Sequence, residues 1–190
     1  MLVIVGESGS GKSTLQDYIV KNYGYEKIVT YTTRQPRDGE KDGVDYHYIS
    51  NSEFDRLVNE NFFIEHATYN GWSYGTAKED CKDNKIVILT PRGLRSFKSK
   101  SSEISVVSLY LCLPRKDRLF ITLSRGDNIE EAYRRNLSDV GQYDGIEDEV
   151  DWTFINYIAE FNKKAPVFQY DLEYIAQWME CNGLIKNMKI

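Results

Sequence analysis

The chain has 190 residues, a length typical of one compact domain, and 41% of them are hydrophobic and 28% charged. Such a chain can bury a substantial core without help from disulfides or a structural metal. The formal net charge of −5 at pH 7 argues against general binding to nucleic acid or to a membrane surface. An anionic substrate would therefore have to be captured by a local cluster of positive charge.

The cysteines and the hydropathy pattern indicate the cellular compartment. Cys81, Cys112 and Cys181 are far apart and lack C-x-x-C spacing, which favours free thiols in a reducing compartment over a disulfide framework or a zinc site. No apolar stretch approaches the ~18 residues needed to cross a bilayer, and the start has no basic leader region. We predict a cytoplasmic protein, monomeric or homodimeric, whose partners are small molecules rather than nucleic acid or membrane.

The hydrophobic pattern predicts buried strands that alternate with helices. Strands are predicted, in chain order, at 2–5, 27–31, 62–69, 72–74, 86–89 and 106–111. Helices are predicted at 12–23, from about 51 to 58, at 93–97, 115–124 and 129–140, and around 172–179 with Asp171 as the N-cap and Gly183 as the stop. This alternation predicts an α/β fold with a parallel sheet and helices on both of its faces. The antiparallel-looking stretch from about 32 to 83, with its Asn70-Gly71 hairpin turn, is predicted to be an inserted subdomain.

The first loop carries the strongest motif in the chain. Residues 6–13 read Gly-Glu-Ser-Gly-Ser-Gly-Lys-Ser, which matches the P-loop pattern G-x-x-x-x-G-K-[ST] between a strand and a helix. Its glycines let backbone N–H groups turn inward around an anion, and the helix N-terminus adds partial positive charge. Lys12 is predicted to reach the β and γ phosphates and Ser13 to ligate Mg²⁺. The predicted ATP-binding residues are Glu7, Ser8, Gly9, Ser10, Gly11, Lys12, Ser13 and Thr14.

The P-loop alone does not say where the phosphoryl group goes. A GTP-binding switch protein would also need the guanine-reading motif N-K-x-D, but residues 162–165 read Asn-Lys-Lys-Ala and lack the aspartate. A kinase needs a second anion site, and Arg34 and Arg37, which flank Pro36, offer forked guanidinium groups for one. On spacing alone these arginines could equally be solvated or in surface ion pairs.

Three segments of the chain together resemble the guanylate kinase family over about residues 2–140. They are the run from Thr32 to Tyr46 that contains T-T-R-x-P-R-x-G-E-x-x-G-x-D-Y, the triplet Phe63-Ile64-Glu65, and the triplet Tyr74-Gly75-Thr76. The resemblance implies a three-layer α/β/α P-loop kinase in a single domain, 1–190, that moves a phosphoryl group from ATP to GMP, with dGMP as a further candidate. It implies a core at 1–31 and 84–190, a nucleoside-monophosphate-binding insertion at about 32–83 and a mobile lid at about 125–140.

The resemblance also assigns residues to the acceptor nucleotide. Those that match the family's GMP-phosphate holders are Arg34, Arg37, Tyr46 and Tyr74, and those that match its base-facing positions are Thr30, Glu65 and Thr76. The chemistry of Glu65 supports its assignment, because a carboxylate only accepts hydrogen bonds and guanine offers two adjacent donors, N1–H and the 2-amino group. Adenine presents an acceptor at N1, which would face the carboxylate with lone-pair repulsion.

Two regions depart from the family pattern or leave alternatives open. The resemblance implies an aspartate-containing motif at the end of the third core strand, but residues 87–93 read Val-Ile-Leu-Thr-Pro-Arg-Gly without a carboxylate. The ligands of Mg²⁺ would therefore be Ser13, the phosphates and water. In the lid, Arg125 and either Arg134 or Arg135 are candidates to neutralise the transferring phosphoryl group. The alternative for the lid helix is a solvated face with i, i+4 ion pairs to Glu130 and Glu131. The predicted catalytic set is Lys12, Arg34, Arg125 and Arg135.

Three functions therefore compete. The first is an ATP-dependent guanylate kinase, the second a guanylate kinase-like module that binds a partner peptide without catalysis, and the third a kinase for another phosphorylated acceptor such as a ribose phosphate. The complete P-loop with Lys12 favours a catalyst over the module, and the residues around Glu65 argue against a different acceptor.

Overall fold

The computed structural model describes residues 1–37, 39–69, 71–100, 105–124, 126, 128–155 and 172–188. Within these ranges the strands are β1 (Leu2–Val5), β2 (Glu26–Lys27), β3 (Tyr31–Thr32), β4 (His47–Tyr48), β5 (Phe63–Tyr69), β6 (Trp72–Ala77), β7 (Lys85–Ile88), β8 (Val107–Cys112) and β9 (Trp152–Ile155). The α-helices are α1 (Lys12–Tyr23), α2 (Asn51–Asn59), α3 (Pro91–Lys100), α4 (Arg115–Ser124), α5 (Ile129–Ser138) and α6 (Leu172–Cys181). None of the described helices is long and apolar enough to cross a membrane.

A five-stranded parallel sheet forms the core, with the strand order β2-β7-β1-β8-β9. Strand β1 is central and wholly buried, because alternate residues face helices on opposite sides. Leu2 and Ile4 belong to the cluster that includes residues of α1 and α6, and Val3 and Val5 to the cluster that includes Phe97 of α3. The predicted α/β fold, with a parallel sheet covered on both faces, is confirmed.

A second sheet, with the order β4-β3-β6-β5, is built from the stretch between β2 and β7. Strands β5 and β6 form the predicted antiparallel hairpin, which turns at Gly71 with a φ of 79° that favours glycine. The second sheet as a whole is mixed, since β3 is antiparallel to β6 but parallel to β4. The division of the chain into core, insertion and lid stays our proposal.

The predicted single strand at 27–31 is wrong, because the chain changes sheets within it. The Ile28 N–H still donates to the Ile86 carbonyl in the core sheet, at 3.0 Å. Two residues later the Thr30 carbonyl accepts from the His47 N–H in the second sheet, at 2.9 Å. An apolar run of this kind does not reveal which sheet takes up its backbone hydrogen bonds.

The predicted helices are present within the described ranges, and hydrogen bonds from nearby side chains or glycines mark several of their ends. Ser50 caps α2 by accepting from the Glu53 N–H at 3.1 Å, and Asn128 caps α5 by accepting from the Glu131 N–H at 3.1 Å. Gly183 lies two residues beyond α6 with a φ of 74°, in keeping with its predicted role as a stop. The predicted N-cap Asp171 and the segment 162–165 lie outside the described residues.

Candidate active site

A cavity of about 280 Å³ lies between the P-loop, the second sheet, the segment after β7 and helix α5. Most of the residues predicted for the nucleotides line it. They are Ser8, Gly9, Gly11, Lys12, Ser13, Thr14, Thr30, Arg34, Arg37, Tyr46, Glu65, Tyr74 and Arg135. Glu7, Ser10 and Thr76 do not line the cavity, and Arg125 lies outside the described residues.

The P-loop connects β1 to α1 and packs tightly against the core. A Cβ atom at Gly6 would lie 2.5 Å from the Leu111 carbonyl oxygen, so only glycine fits where the loop leaves the sheet. The Lys12 ammonium donates to the Glu7 carbonyl at 2.7 Å, which bends its side chain back over the loop. Lys12 and Ser13 both face the cavity at the start of α1, where the helix dipole favours an anion.

Behind the P-loop, buried polar residues that sequence reasoning missed hold it in place. The Arg118 guanidinium lies 3.4 Å from the Glu7 carboxylate, which also accepts from the Tyr110 hydroxyl at 3.1 Å. The Tyr143 hydroxyl donates to the Gly6 carbonyl at 2.8 Å, and burial raises the pKa of Tyr143 well above its usual value. Glu7 therefore braces the loop from the core side. No local pattern marks Arg118, because the buried face of α4 consists of Asp117, Arg118, Ile121 and Thr122 while Phe120 and Leu123 are exposed.

The two arginines of the second anion site are organised by Glu40. Its carboxylate accepts two hydrogen bonds from the Arg34 guanidinium, at 2.8 and 2.9 Å, and one each from the Arg37 N–H at 2.7 Å and the Tyr48 hydroxyl at 2.8 Å. Burial opposes the charge, but these donors hold the pKa of Glu40 below its usual value. The Arg34 guanidinium also lies over the Tyr46 ring, 5.3 Å from its centroid. Arg34 is therefore a fixed and mostly buried cation rather than a solvated one.

Positive charge accumulates on the part of the cavity wall that Arg34, Arg37 and Arg135 line. Partial burial lowers the pKa of Arg37, and the neighbouring charges of Arg34 and Arg135 lower it further. Arg134 also lines the cavity, and both arginines of α5 pair with Glu131, at 2.8 Å from Arg134 and 3.3 Å from Arg135. The predicted i, i+4 pairing of the lid helix therefore exists alongside its position at the cavity. A cluster of like charges at one wall is suited to a phosphate group.

Glu65, on β5, contributes a buried carboxylate to the cavity wall. The residue is 2% exposed, and the Thr76 hydroxyl donates to its Oε1 atom at 2.6 Å. A Cβ atom at Gly93 would lie 3.2 Å from Oε2, so the absence of a side chain there leaves space for the carboxylate. Thr76 therefore lies behind Glu65 and orients it, while Thr30 lines the cavity itself. The pocket presents a buried acceptor of hydrogen bonds, with Ala67 and Trp72 among its apolar walls.

Comparison with known proteins decides the family. The model of the guanylate kinase family matches residues 1–150 of the chain. The chain belongs to the guanylate kinase family. It is 47% identical over 161 residues to the guanylate kinase of Chlorobaculum tepidum, covering 77% of this chain and 82% of that one. It is 38% identical over 144 residues to the guanylate kinase of Schizosaccharomyces pombe, covering 72% and 71%. The crystal structure of guanylate kinase from Anaplasma phagocytophilum shares the fold, with a TM-score of 0.66 at 23% identity, over 100% of this chain and 86% of that one.

Thr90 follows β7 in the stretch 87–93, which contains no carboxylate. Its hydroxyl accepts from the Gly93 N–H at 3.1 Å and so caps α3, with Pro91 in the first helical position. Thr90 also lines the cavity. Within the described ranges no group of three or more His, Cys, Asp or Glu residues could hold a metal ion. Thr90 therefore serves as a helix cap and brings no charge to the cavity.

We predict that Thr90→Ala lowers the free energy of unfolding by about 1 kcal/mol, because the Gly93 N–H loses its acceptor. Urea unfolding followed by circular dichroism measures the change. Thr90→Ser is the matched variant, since it keeps the hydroxyl and should retain most of the stability. Equal stability of the alanine variant and the parent would contradict the capping role.

Proposed function

We propose that this guanylate kinase family member transfers the γ-phosphoryl group of ATP to GMP, forming ADP and GDP, with dGMP as a further acceptor. One observation carries the proposal. A single cavity combines a complete P-loop with Lys12, a wall of arginines and a buried carboxylate at Glu65. Those three features suit a triphosphate donor, an anionic acceptor and a base that offers adjacent hydrogen-bond donors.

The charges along the cavity suggest how the two nucleotides lie. ATP would lie with its phosphates on the P-loop, where Lys12 and the start of α1 face the cavity. GMP would lie with its base at Glu65 and its phosphate at Arg34 and Arg37, with hydroxyl donors from Tyr46 and Tyr74. Catalysis then follows from alignment and from cations that neutralise the transferring group, for which Lys12, Arg34 and Arg135 are the described candidates. Arg125 stays a candidate from the sequence.

We propose Mg²⁺ as the cofactor, bound with ATP through the Ser13 hydroxyl at the start of α1. The donor set fits, because Mg²⁺ commonly keeps several waters and takes few protein ligands besides the phosphates. The ion would neutralise charge on the phosphates when bound. The strand end at 87–93 has no carboxylate to help hold the ion, and the Thr90 hydroxyl there is already used in capping α3.

We predict that Ser13→Ala weakens binding of a non-hydrolysable ATP analogue by about tenfold when Mg²⁺ is present, since a direct ligand of the ion is lost. The loss should nearly vanish in EDTA, because the hydroxyl then has no metal to bind. Isothermal titration calorimetry in the two buffers measures the difference. An equal loss in both buffers would contradict the metal role of Ser13.

The proposed function is tested by ADP release with ATP and magnesium across GMP, dGMP, AMP, CMP, UMP and a ribose phosphate. Turnover of GMP far above that of AMP is the expected result. Absence of turnover with every acceptor at millimolar concentration would overturn it in favour of a non-catalytic binding module. Turnover of the ribose phosphate above GMP would instead favour the third function. A cytoplasmic location and a monomeric or homodimeric state stay predictions from the sequence.

A further inference from the structure

Asp139 lies where the P-loop, the lid helix and the second sheet meet. It follows α5 as its C-cap, and its side chain is only 1% exposed. Its Oδ2 atom accepts from the Ser8 N–H of the P-loop at 2.8 Å, and its Oδ1 atom accepts from the Tyr69 hydroxyl at the tip of β5. One buried carboxylate therefore joins the donor side of the cavity to the acceptor side.

The charge of Asp139 is balanced within the protein. The Arg118 guanidinium lies 3.5 Å from its Oδ2 atom and also bonds the Ser8 carbonyl at 3.4 Å. A buried carboxylate is costly unless its oxygens are paired, and here both have partners. The arrangement therefore satisfies the hydrogen bonding of a buried carboxylate that contacts the P-loop.

Asp139 also determines where the lid helix ends. Its backbone N–H donates to the Arg135 carbonyl at 3.1 Å, so the last turn of α5 is continuous with the carboxylate that bonds the P-loop. Arg134 and Arg135, which line the cavity, lie on that turn or next to it. A displacement of Asp139 would displace both arginines relative to Lys12.

Strand β5 reaches from the base end of the cavity to Asp139. Glu65, Ala67 and Tyr69 alternate along it and all line the cavity, as the two-residue period of a strand requires. Four residues of strand span about 13 Å, which is close to the length of a nucleoside monophosphate. A ligand held by Glu65 therefore contacts the same strand that presents the Tyr69 hydroxyl.

We propose that Tyr69 and Asp139 are positioning residues that couple the two nucleotide sites. An acceptor held at Glu65 fixes the position of β5, the Tyr69 hydroxyl passes that position to Asp139, and Asp139 holds Ser8 and the arginines of α5 in the geometry that the donor needs. If the bound acceptor raises the affinity for the donor by some factor, linkage requires that the bound donor raise the affinity for the acceptor by the same factor. This inference rests on the proposed function, because it takes GMP as the acceptor and ATP as the donor.

Tyr69→Phe tests the coupling, since it removes one hydroxyl and keeps the ring. Calorimetry gives the dissociation constant of GMP with and without a saturating non-hydrolysable ATP analogue, and the ratio is the coupling factor. We expect a factor of about fivefold or more in the parent and a factor near one in Tyr69→Phe. Affinity for each nucleotide alone should change by less than about twofold, while kcat falls about tenfold through misalignment.

Tyr133→Phe is the matched control, because Tyr133 lies on α5 but is 57% exposed and outside the cavity lining. It should keep the coupling factor of the parent. Asp139→Asn should lose the coupling as Tyr69→Phe does, and circular dichroism reports whether it folds. A coupling factor of one in the parent, or an undiminished factor in Tyr69→Phe, overturns the inference. The parent's turnover of GMP tests the proposed function separately.

Discussion

Lys12→Ala is expected to lower kcat for GMP phosphorylation by about 10³-fold or more while the protein remains folded. The ammonium is the only P-loop side-chain cation, and it faces the cavity at the start of α1. In the transition state, charge spreads over the oxygens of the transferring group, and a fixed cation there contributes far more than in bulk water. ADP release under saturating ATP and GMP measures the loss.

The control for Lys12 separates catalysis from folding. Lys21→Ala removes a lysine from the last turn of the same helix, outside the cavity lining, and should leave turnover near that of the parent. Thermal unfolding should be similar for all three proteins, because Lys12 is only partly buried and contributes no core packing. Turnover of the Lys12 variant close to that of the parent would refute its role at the phosphates.

Glu65→Gln is expected to reduce the preference for GMP over AMP, measured as the ratio of kcat/KM, by about 10²-fold or more. The amide adds an N–H donor where the carboxylate only accepts, so it opposes guanine N1–H and suits adenine N1. The Thr76 hydroxyl, 2.6 Å from Oε1, fixes the orientation of the group and so leaves it little room to turn away.

Two measurements accompany the Glu65 variant. Glu53→Gln changes a carboxylate on α2 that pairs with Arg56 at the surface, and it should leave the selectivity unchanged. The affinity for ATP alone should also be unchanged in Glu65→Gln, since Glu65 lies on β5 and is not one of the residues predicted to bind ATP. Unaltered selectivity between GMP and AMP would remove Glu65 from the base site.

Local patterns predicted much of the fold. The buried β1, the helix that starts at Lys12 and the hairpin of β5 and β6 each follow from residues close together in the chain, where periodicity and turn chemistry act directly. The strand at 27–31 was mispredicted because its backbone hydrogen bonds go to residues that are distant in the chain. Whether Ile28 and Thr30 bond the core sheet or the second sheet depends on partners tens of residues away.

The candidate site likewise has a part that local patterns predict and a part that depends on residues distant in the chain. The phosphate cradle is a contiguous motif, so residues 6–13 were enough to predict a site for a triphosphate donor at Lys12, and residue types alone suggested which side chains could read an acceptor. The tertiary structure alone decided which buried groups support that cradle. Asp139 meets the Ser8 N–H across 131 positions, and no local pattern marks it, because one acid after a charged helix resembles any solvated residue until folding removes water from around it.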